Sequence, residues 1–251
     1  MPDFTHIYNV YHGKQVCSYG RYGVYVPLWA DRIDGDSIGE RQTFEFLRAH
    51  YWVWKNLSHE PNEVVGFQHY RRCLFLPPLV NGENANSLPN VYDNPDMFDS
   101  YTNSSIYIPG NLYGYDFIVA KAWQFDISIG EEYCRSHVPE HWAAMLRSAP
   151  ELIDYAKDCN SYNVCTMFIT SRRWFEKFMS FWWRLMCDVV PRITIPVTGY
   201  QSRAIGFLSE RIFGLWLKMQ ENEHKQFKFA EVPLLMDSTR KIPDNWELSH
   251  A

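Results

Sequence analysis

Apolar residues along this chain alternate between short runs and longer stretches of helical spacing. Residues 5–11 read as a strand closed by the turn residues His12-Gly13. Residues 22–27 read as a second strand or an extended approach to a loop. The polar stretch 31–39 contains glycine and reads as a loop. From 40 to 57, Phe44, Leu47, Tyr51 and Trp54 recur at helical spacing, with Phe46, Ala49 and Val53 on the adjacent face; this predicts one long buried helix, stopped by Pro61. A short apolar strand, 63–68, follows. Residues 115–120 (YDFIVA) and 165–170 predict further strands. Residues 139–156, 171–189 and 202–220 predict helices, the first with Pro139 in its opening turn. The second is amphipathic, with Trp174, Phe178, Phe181, Trp182 and Leu185 on one face. The tail from Phe227 is strand-like and then irregular. Residues 77–112 are rich in Pro, Asn, Gly and Asp, a long excursion of the kind that forms lids or disordered segments. Strands alternating with helices predict an α/β domain with a mostly parallel sheet.

Composition narrows the function classes. A chain of 251 residues suits one α/β domain, or one with a small helical lobe. Ten Trp, sixteen Tyr and sixteen Phe make the chain 17% aromatic, which suits stacking on sugar rings or nucleobases as well as a bulky core with subunit or membrane-surface contacts. The net charge of −5 comes without a long basic block, which argues against a nucleic-acid groove. No segment approaches the ~18 uncharged apolar residues of a membrane span; residues 178–190 are interrupted by Arg184 and Asp188. The N-terminus has neither a basic nor an apolar leader region and does not read as a signal peptide. Six scattered cysteines without a C-x-x-C predict reduced thiols. The expectation is a cytoplasmic protein, with the inner face of the cytoplasmic membrane as a peripheral location.

Several groups carry candidate chemistry. His69-Tyr70-Arg71-Arg72 follows a strand, and ligands of open α/β sheets bind beyond the carboxyl ends of strands. Guanidiniums there suit a diphosphate, which arginine grips through paired charge-assisted hydrogen bonds, or pair structurally with a carboxylate. Asp34-Gly35-Asp36 is a D-x-D, either a metal-holding pair or turn chemistry. Glu210 sits among large apolar residues in GFLSERIFGLWL; burial would raise its pKa and suit a base, and a helix-face ion pair is the plainer role. His137 and His141 have metal-ligand spacing, but Pro139 between them starts a helix, so they need not share a face. Asp116 opens its strand, in a catalytic or a stabilising role. The chain lacks G-x-x-x-x-G-K-[ST], G-x-G-x-x-G and G-x-S-x-G motifs, which lowers kinase, dinucleotide-enzyme and hydrolase readings.

These blocks resemble a bacterial family of capsular and exopolysaccharide synthesis clusters, long described only as a domain of unknown function, some of whose members look like O-antigen galactofuranosyltransferases. The resemblance rests on IYNVYHG with His12, Gly35-Asp36-Ser37-Ile38-Gly39-Glu40, and Glu45 through Tyr51-Trp52-Val53-Trp54-Lys55-Asn56. It continues through Gly66-Phe67-Gln68-His69-Tyr70-Arg71-Arg72, Tyr115-Asp116, Tyr133 with His137, Met167-Phe168-Ile169, and Arg203 with Gly206-Phe207-Leu208-Ser209-Glu210-Arg211. Two positions depart from it. His141 stands where the family usually has Asp, and Thr166 precedes Met-Phe-Ile where the family usually has Asn.

The resemblance implies a GT-A-like, Rossmann-type single domain with a mostly parallel central sheet and a helical C-terminal part. The nucleotide part is about 1–125 and the acceptor part about 126–251. It implies a transfer of galactofuranose or galactose from a nucleotide-sugar, expected to be UDP-linked, to an oligosaccharide or lipid-linked glycan acceptor. Donor binding falls to His12, His69, Tyr70, Arg71, Arg72, Arg203 and Arg211. Acceptor binding falls to His137 and Trp52. Glu210 is the expected base, with Asp116 second. A divalent metal, manganese or magnesium, is compatible with this chemistry, and no metal ligand is assigned; Arg71 and Arg72 are expected to do some of the charge neutralisation that a metal usually does. The alternatives are a sugar-phosphate transferase of capsule assembly and a non-catalytic carbohydrate- or nucleotide-binding module.

Overall fold

Apolar runs rich in β-branched and aromatic residues build the strands, and long amphipathic stretches build the helices that cover them. A computed structural model describes residues 5–12, 25–39, 41–58, 60–104 and 108–240. In chain order its elements are β1 (Thr5–Tyr11), β2 (Tyr25–Trp29), α1 (Leu47–Asn56), β3 (Val64–His69), β4 (Arg72–Leu74), α2 (Pro77–Val80), β5 (Val91–Asp93), α3 (Pro95–Thr102), β6 (Phe117–Ala120) and β7 (Ala122–Gln124). There follow α4 (Ile129–Ser136), α5 (Pro139–Ser148), α6 (Ile153–Asp158), β8 (Ser161–Asn163), β9 (Phe168–Ser171), α7 (Arg172–Val189), α8 (Ala204–Glu223), β10 (Phe229–Val232) and β11 (Leu234–Met236).

The sheet overturns the expected GT-A-like, Rossmann-type arrangement with a mostly parallel sheet. β2, β1 and β3 run parallel, as do β6 and β10. β9 lies antiparallel between β3 and β6, and β3 turns back through a hairpin into β4, which pairs antiparallel with β11. β5 extends this arm parallel to β11, and β7 and β8 form a separate antiparallel pair. Five of the nine strand pairs among the described residues are antiparallel, and the sheet curls into a half-barrel with the C-terminal helices against it. For β4 the physical reason is a short connection: a parallel partner needs a crossover of a dozen or more residues, and β4 is reached from β3 by the two-residue turn Tyr70-Arg71. β9 enters from the turn 164–166, which lies at the end of the sheet where β3 and β6 finish, and so runs against both.

Other elements differ in extent. The expected helix 40–57 is a 3-10 turn at Gln42–Phe44, a break at Glu45 with φ of 51°, and then α1; Glu40 itself lies outside the described residues. Pro150 divides the expected helix 139–156 into α5 and α6, because it cannot donate the backbone bond that would continue the first. The expected strand 165–170 begins only at Phe168. Residues 22–24, Gly13 and Cys17 lie outside the described residues. The excursion 77–112 carries α2, β5 and α3. No helix among the described residues is long and apolar enough to cross a membrane.

α7 and α8 bury their aromatic faces against the sheet. Phe168 of β9 contacts Phe175 and Phe178 of α7 and Phe213 of α8. Each such fully buried ring contributes roughly 1.5–3 kcal/mol. The buried Trp182 indole donates to Ser209 Oγ at 2.8 Å, so the polar atom inside this layer is satisfied.

The D-x-D loop is a turn fastened to α1. Gly35 has φ of +66°, and an added Cβ would meet Asn56 Oδ1 at 2.2 Å. Asn56 accepts from Asp36 N and donates to Asp36 O, Tyr51 donates to Asp36 Oδ1, and Trp52 donates to Asp34 O. Asp34 is chelated by Arg32. The two carboxylates are thus committed to different partners, and the donor set does not fit a shared metal. Among the described residues no group of three His, Cys, Asp or Glu is placed to hold a metal ion.

Candidate functional site

Polar residues excluded from the core collect at one edge of the sheet. β1 and β3 end there, delivering His12 and His69, and the hairpin returns Arg72 opposite His69. β9 runs the other way, so its entry turn, Val164-Cys165-Thr166, lies at this same edge. α8 passes beside that turn. The result is a cleft of about 60 Å³ in which His69, Arg72, Arg203 and Glu210 meet, walled by Glu45, Phe46, Cys165, Thr166 and Phe207.

Glu210 is the chemically loaded group. Its side chain is 27% exposed, so one side is reachable. One oxygen accepts the Cys165 N–H at 3.0 Å, and the other lies 3.5 Å from Arg211. Burial pushes its carboxyl above the ordinary carboxylate range, against the pull of Arg211, the Cys165 N–H, Arg72 and Arg203. The turn that supplies that N–H is strained: Cys165 and Thr166 adopt φ of 70° and 46° without being glycine, at roughly 1–3 kcal/mol each. Arg72 donates to Cys165 Sγ at 3.4 Å, and His50 Nε2 lies 3.2 Å from Thr166 O. Burial pushes the Cys165 thiol up to about 11, so it is a neutral wall.

Arg203 forks onto Glu45, with Nη2 donating at 3.1 Å and Nε to the other oxygen. Glu45 reaches this position because its backbone is left-handed and because Gly206 leaves room; a Cβ on Gly206 would meet Glu45 Cγ at 2.4 Å. The rings of His69 and Phe46 stack at 3.5 Å between centroids, and His12 meets Phe46 edge-on at 4.3 Å. Arg48, fully buried, bridges Glu45 O, Gly39 O and His12 Nδ1. A guanidinium only donates, so His12 Nδ1 accepts and its ring proton sits on Nε2. Burial first, then neighbouring cationic groups, holds His12 and His69 well below the usual histidine range, so both are neutral at pH 7.

The expected site residues divide into two sets. His69, Arg72, Arg203 and Glu210 line the cleft, with His12 beside it. Arg71 and Tyr70 sit at the hairpin tip. The Arg71 guanidinium lies over the Tyr70 ring at 5.6 Å, and Tyr70 packs with Tyr11, Phe75 and Phe98. Arg211 points away into the core, paired to Glu132 at 2.8 Å and lying over the Tyr162 ring at 4.4 Å. Its role there is to brace Glu210 from behind. His137 stacks behind Phe207 at 4.4 Å, one layer from the cleft. Trp52 is covered by Arg32 at 3.7 Å and spends its N–H on the D-x-D turn, outside the cleft. Asp116 lies at the opposite edge of the sheet, where it accepts from Trp174 Nε1 at 2.7 Å and Lys228 N at 3.0 Å. His141 faces Thr194 O at 3.0 Å and does not share a helix with His137.

Glu45, Phe46, Cys165 and Thr166 escaped the residue-level reading as site groups. A glycine inside the apolar helix, Gly206, was the one signal for the Glu45 contact. Cys165-Thr166 offered none, because neither residue type favours a left-handed backbone.

Comparison with known proteins places the chain. The family described as "Domain of unknown function (DUF4422)" matches residues 7–222, and the chain belongs to that family. No curated protein matches it. A solved structure, the apo form of the WbbM bifunctional glycosyltransferase, is similar over 93% of this chain with a TM-score of 0.75 and 19% identity. That likeness is one of fold, and the chain spans 45% of that protein's length.

Proposed function

We propose that this DUF4422 protein is a glycosyltransferase of polysaccharide synthesis. It moves galactofuranose or galactose from a uridine-diphosphate donor to a growing capsular or O-antigen glycan, free or lipid-linked, met at the inner face of the cytoplasmic membrane. The observation that carries this reading is the meeting of Glu210, its proton affinity raised, with Arg72 and Arg203 at the edge where β1 and β3 end. The fold shared with a bifunctional glycosyltransferase supports it. Residues 1–125 supply most of the nucleotide side, and 126–251 supply the base and the acceptor side.

In this reading Glu210 takes the proton of the acceptor hydroxyl as its oxygen bonds to the anomeric carbon. The bond from that carbon to the diphosphate breaks, and the electron pair leaves with the nucleotide. Arg72 takes up the developing charge, with Arg203 once the phosphate competes with Glu45 for its fork. Neutral His12 and His69 serve as hydrogen-bond donors rather than charges. The cleft is smaller than a nucleotide-sugar, which needs roughly 300–1,000 Å³, so it takes the reacting centre and the nucleotide extends along the sheet edge.

The test is product analysis. The protein is incubated with UDP-galactose and UDP-galactofuranose and an oligosaccharide acceptor pool. Wild type is expected to release UDP, and Glu210→Gln to release it about 10²–10⁴-fold more slowly. Release of UMP would mark a sugar-phosphate transferase instead. Nucleotide binding without release from any donor would mark a binding module.

A further inference from the structure

A second cavity lies beside the cleft, with walls of different chemistry. It has a volume of about 570 Å³, within the roughly 300–1,000 Å³ typical of small-molecule sites. It runs along β10, the outermost strand of the sheet beyond β6, and the residue 78–88 part of the excursion forms its far wall. At one end stands Tyr115, and at the other Gln124 and Asn163. Two residues after Asn163 the chain reaches Cys165, which lines the cleft. α8 joins the two spaces as well, since Glu210 faces the cleft and Lys218 the groove, eight residues or roughly 12 Å apart along the helix. Between them Gly214 lets β8 cross the helix closely; a Cβ there would meet Tyr162 Cβ at 2.9 Å.

The floor of the groove is rigid. Glu231 Oε1 accepts from Asn163 at 2.7 Å and from Ala122 N at 3.1 Å, and Asn163 also donates to Ala120 O. Lys218 Nζ is held by Ser161 Oγ at 3.0 Å and Cys159 Sγ at 3.1 Å. Above this floor the side chains of Tyr115 and Gln124 hold no hydrogen bond with the described residues. Glu83 and Glu231 outnumber Lys218, so a diphosphate is disfavoured here. Amide, carboxylate and phenol groups beside the aromatic faces of Tyr115 and Phe229 match a neutral polyol, whose hydroxyls need donors and acceptors and whose C–H faces pack on rings.

We infer that this groove binds a neutral oligosaccharide, the acceptor whose terminal hydroxyl reaches Glu210. The direction of transfer rests on the glycosyltransferase reading; the binding itself does not. Full-length wild type, Gln124→Ala and Tyr115→Leu are applied to an array of defined neutral bacterial oligosaccharides. UDP binding is measured in parallel by calorimetry, and thermal midpoints confirm folding. The expected result is array binding by wild type that weakens about tenfold in each folded variant, with UDP affinity unchanged. Array binding unaltered in both variants, or no array binding by a wild type that takes UDP, overturns the groove and leaves the donor cleft standing. Variant-sensitive array binding without UDP binding keeps the groove and overturns the UDP-donor assignment.

Discussion

Glu210 and Asp116 are both acidic residues near the ends of sheet strands, and they lie at opposite edges of the same sheet. Asp116 has both oxygens engaged, by the Trp174 indole and the Lys228 amide. Glu210 is buried against Cys165 and Arg211 on one side, partly open on the other, and carries a raised pKa. The first arrangement completes a structure. The second keeps a proton acceptor next to two arginines in a small cleft. A similar contrast separates Arg72, which lines the cleft with no carboxylate partner among the described residues, from Arg211, which is spent on Glu132 and two tyrosine rings; Arg203 lines the cleft while forked onto Glu45. What sets the two acids apart is the raised proton affinity of Glu210 and its place on a cleft.

The largest expected effect follows from exchanging the two acids. Glu210→Gln should lower turnover by about 10²–10⁴-fold with little change in thermal midpoint, whereas Asp116→Asn should leave turnover per folded molecule unchanged. Equal losses in steady-state assays would erase the distinction. Next comes Arg72→Ala, which should weaken donor use by about 10–100-fold through loss of charge-assisted contacts worth roughly 1.5–3 kcal/mol. It should also move the acid limb of the rate profile to higher pH, because Arg72 is one of the groups holding Glu210 down.

That limb has a defined sign. A base must be ionised, so the rate rises with pH through the raised pKa of Glu210. Its folded pKa exceeds its unfolded value, so its stabilising contribution is full below the unfolded pKa and is lost as pH rises through the folded one. Activity therefore increases over the window in which Glu210 costs stability. Parallel rate and melting profiles check this, and a rate profile that stays flat from the carboxylate range up through neutral pH would count against Glu210 as the base.

Smaller effects test the supports. Gly206→Ala should push Glu45 off Arg203 and cost about 1–3 kcal/mol in denaturant unfolding, with a fall in turnover. Asp116→Ala should cost about 1–3 kcal/mol by orphaning the Trp174 and Lys228 donors, with turnover per folded molecule kept. The smallest expected change is with chelator. The D-x-D carboxylates are committed to Arg32 and Tyr51, and the proposed mechanism gives the leaving-group charge to the arginines, so under it the rate should hold. Loss restored by manganese would contradict that.

Strands and helices with strong patterns, β1, β3, α7 and α8, were legible from periodicity because their burial is one-sided or complete. The direction of β9 was not. An apolar run such as Phe168-Ile169-Thr170 reads the same whichever way it enters a sheet, and orientation depended on a turn built from Cys165 and Thr166, residues with no turn preference. His69, Arg72 and Glu210 could be singled out because charge and histidine next to apolar runs need a reason. Arg71 could not be told from Arg72, since only the hairpin register decides which of the two faces the cleft. The D-x-D motif and the Tyr51-Trp52 helix block were legible as separate features. Their mutual hydrogen bonds show that one explains the other.

The decisive measurement is calorimetric titration of UDP into wild type, Arg72→Ala and Asp116→Ala. Wild type and Asp116→Ala should bind alike, and Arg72→Ala should bind at least about tenfold more weakly. Undiminished binding by Arg72→Ala would contradict the assignment of the cleft as the place where the diphosphate is held.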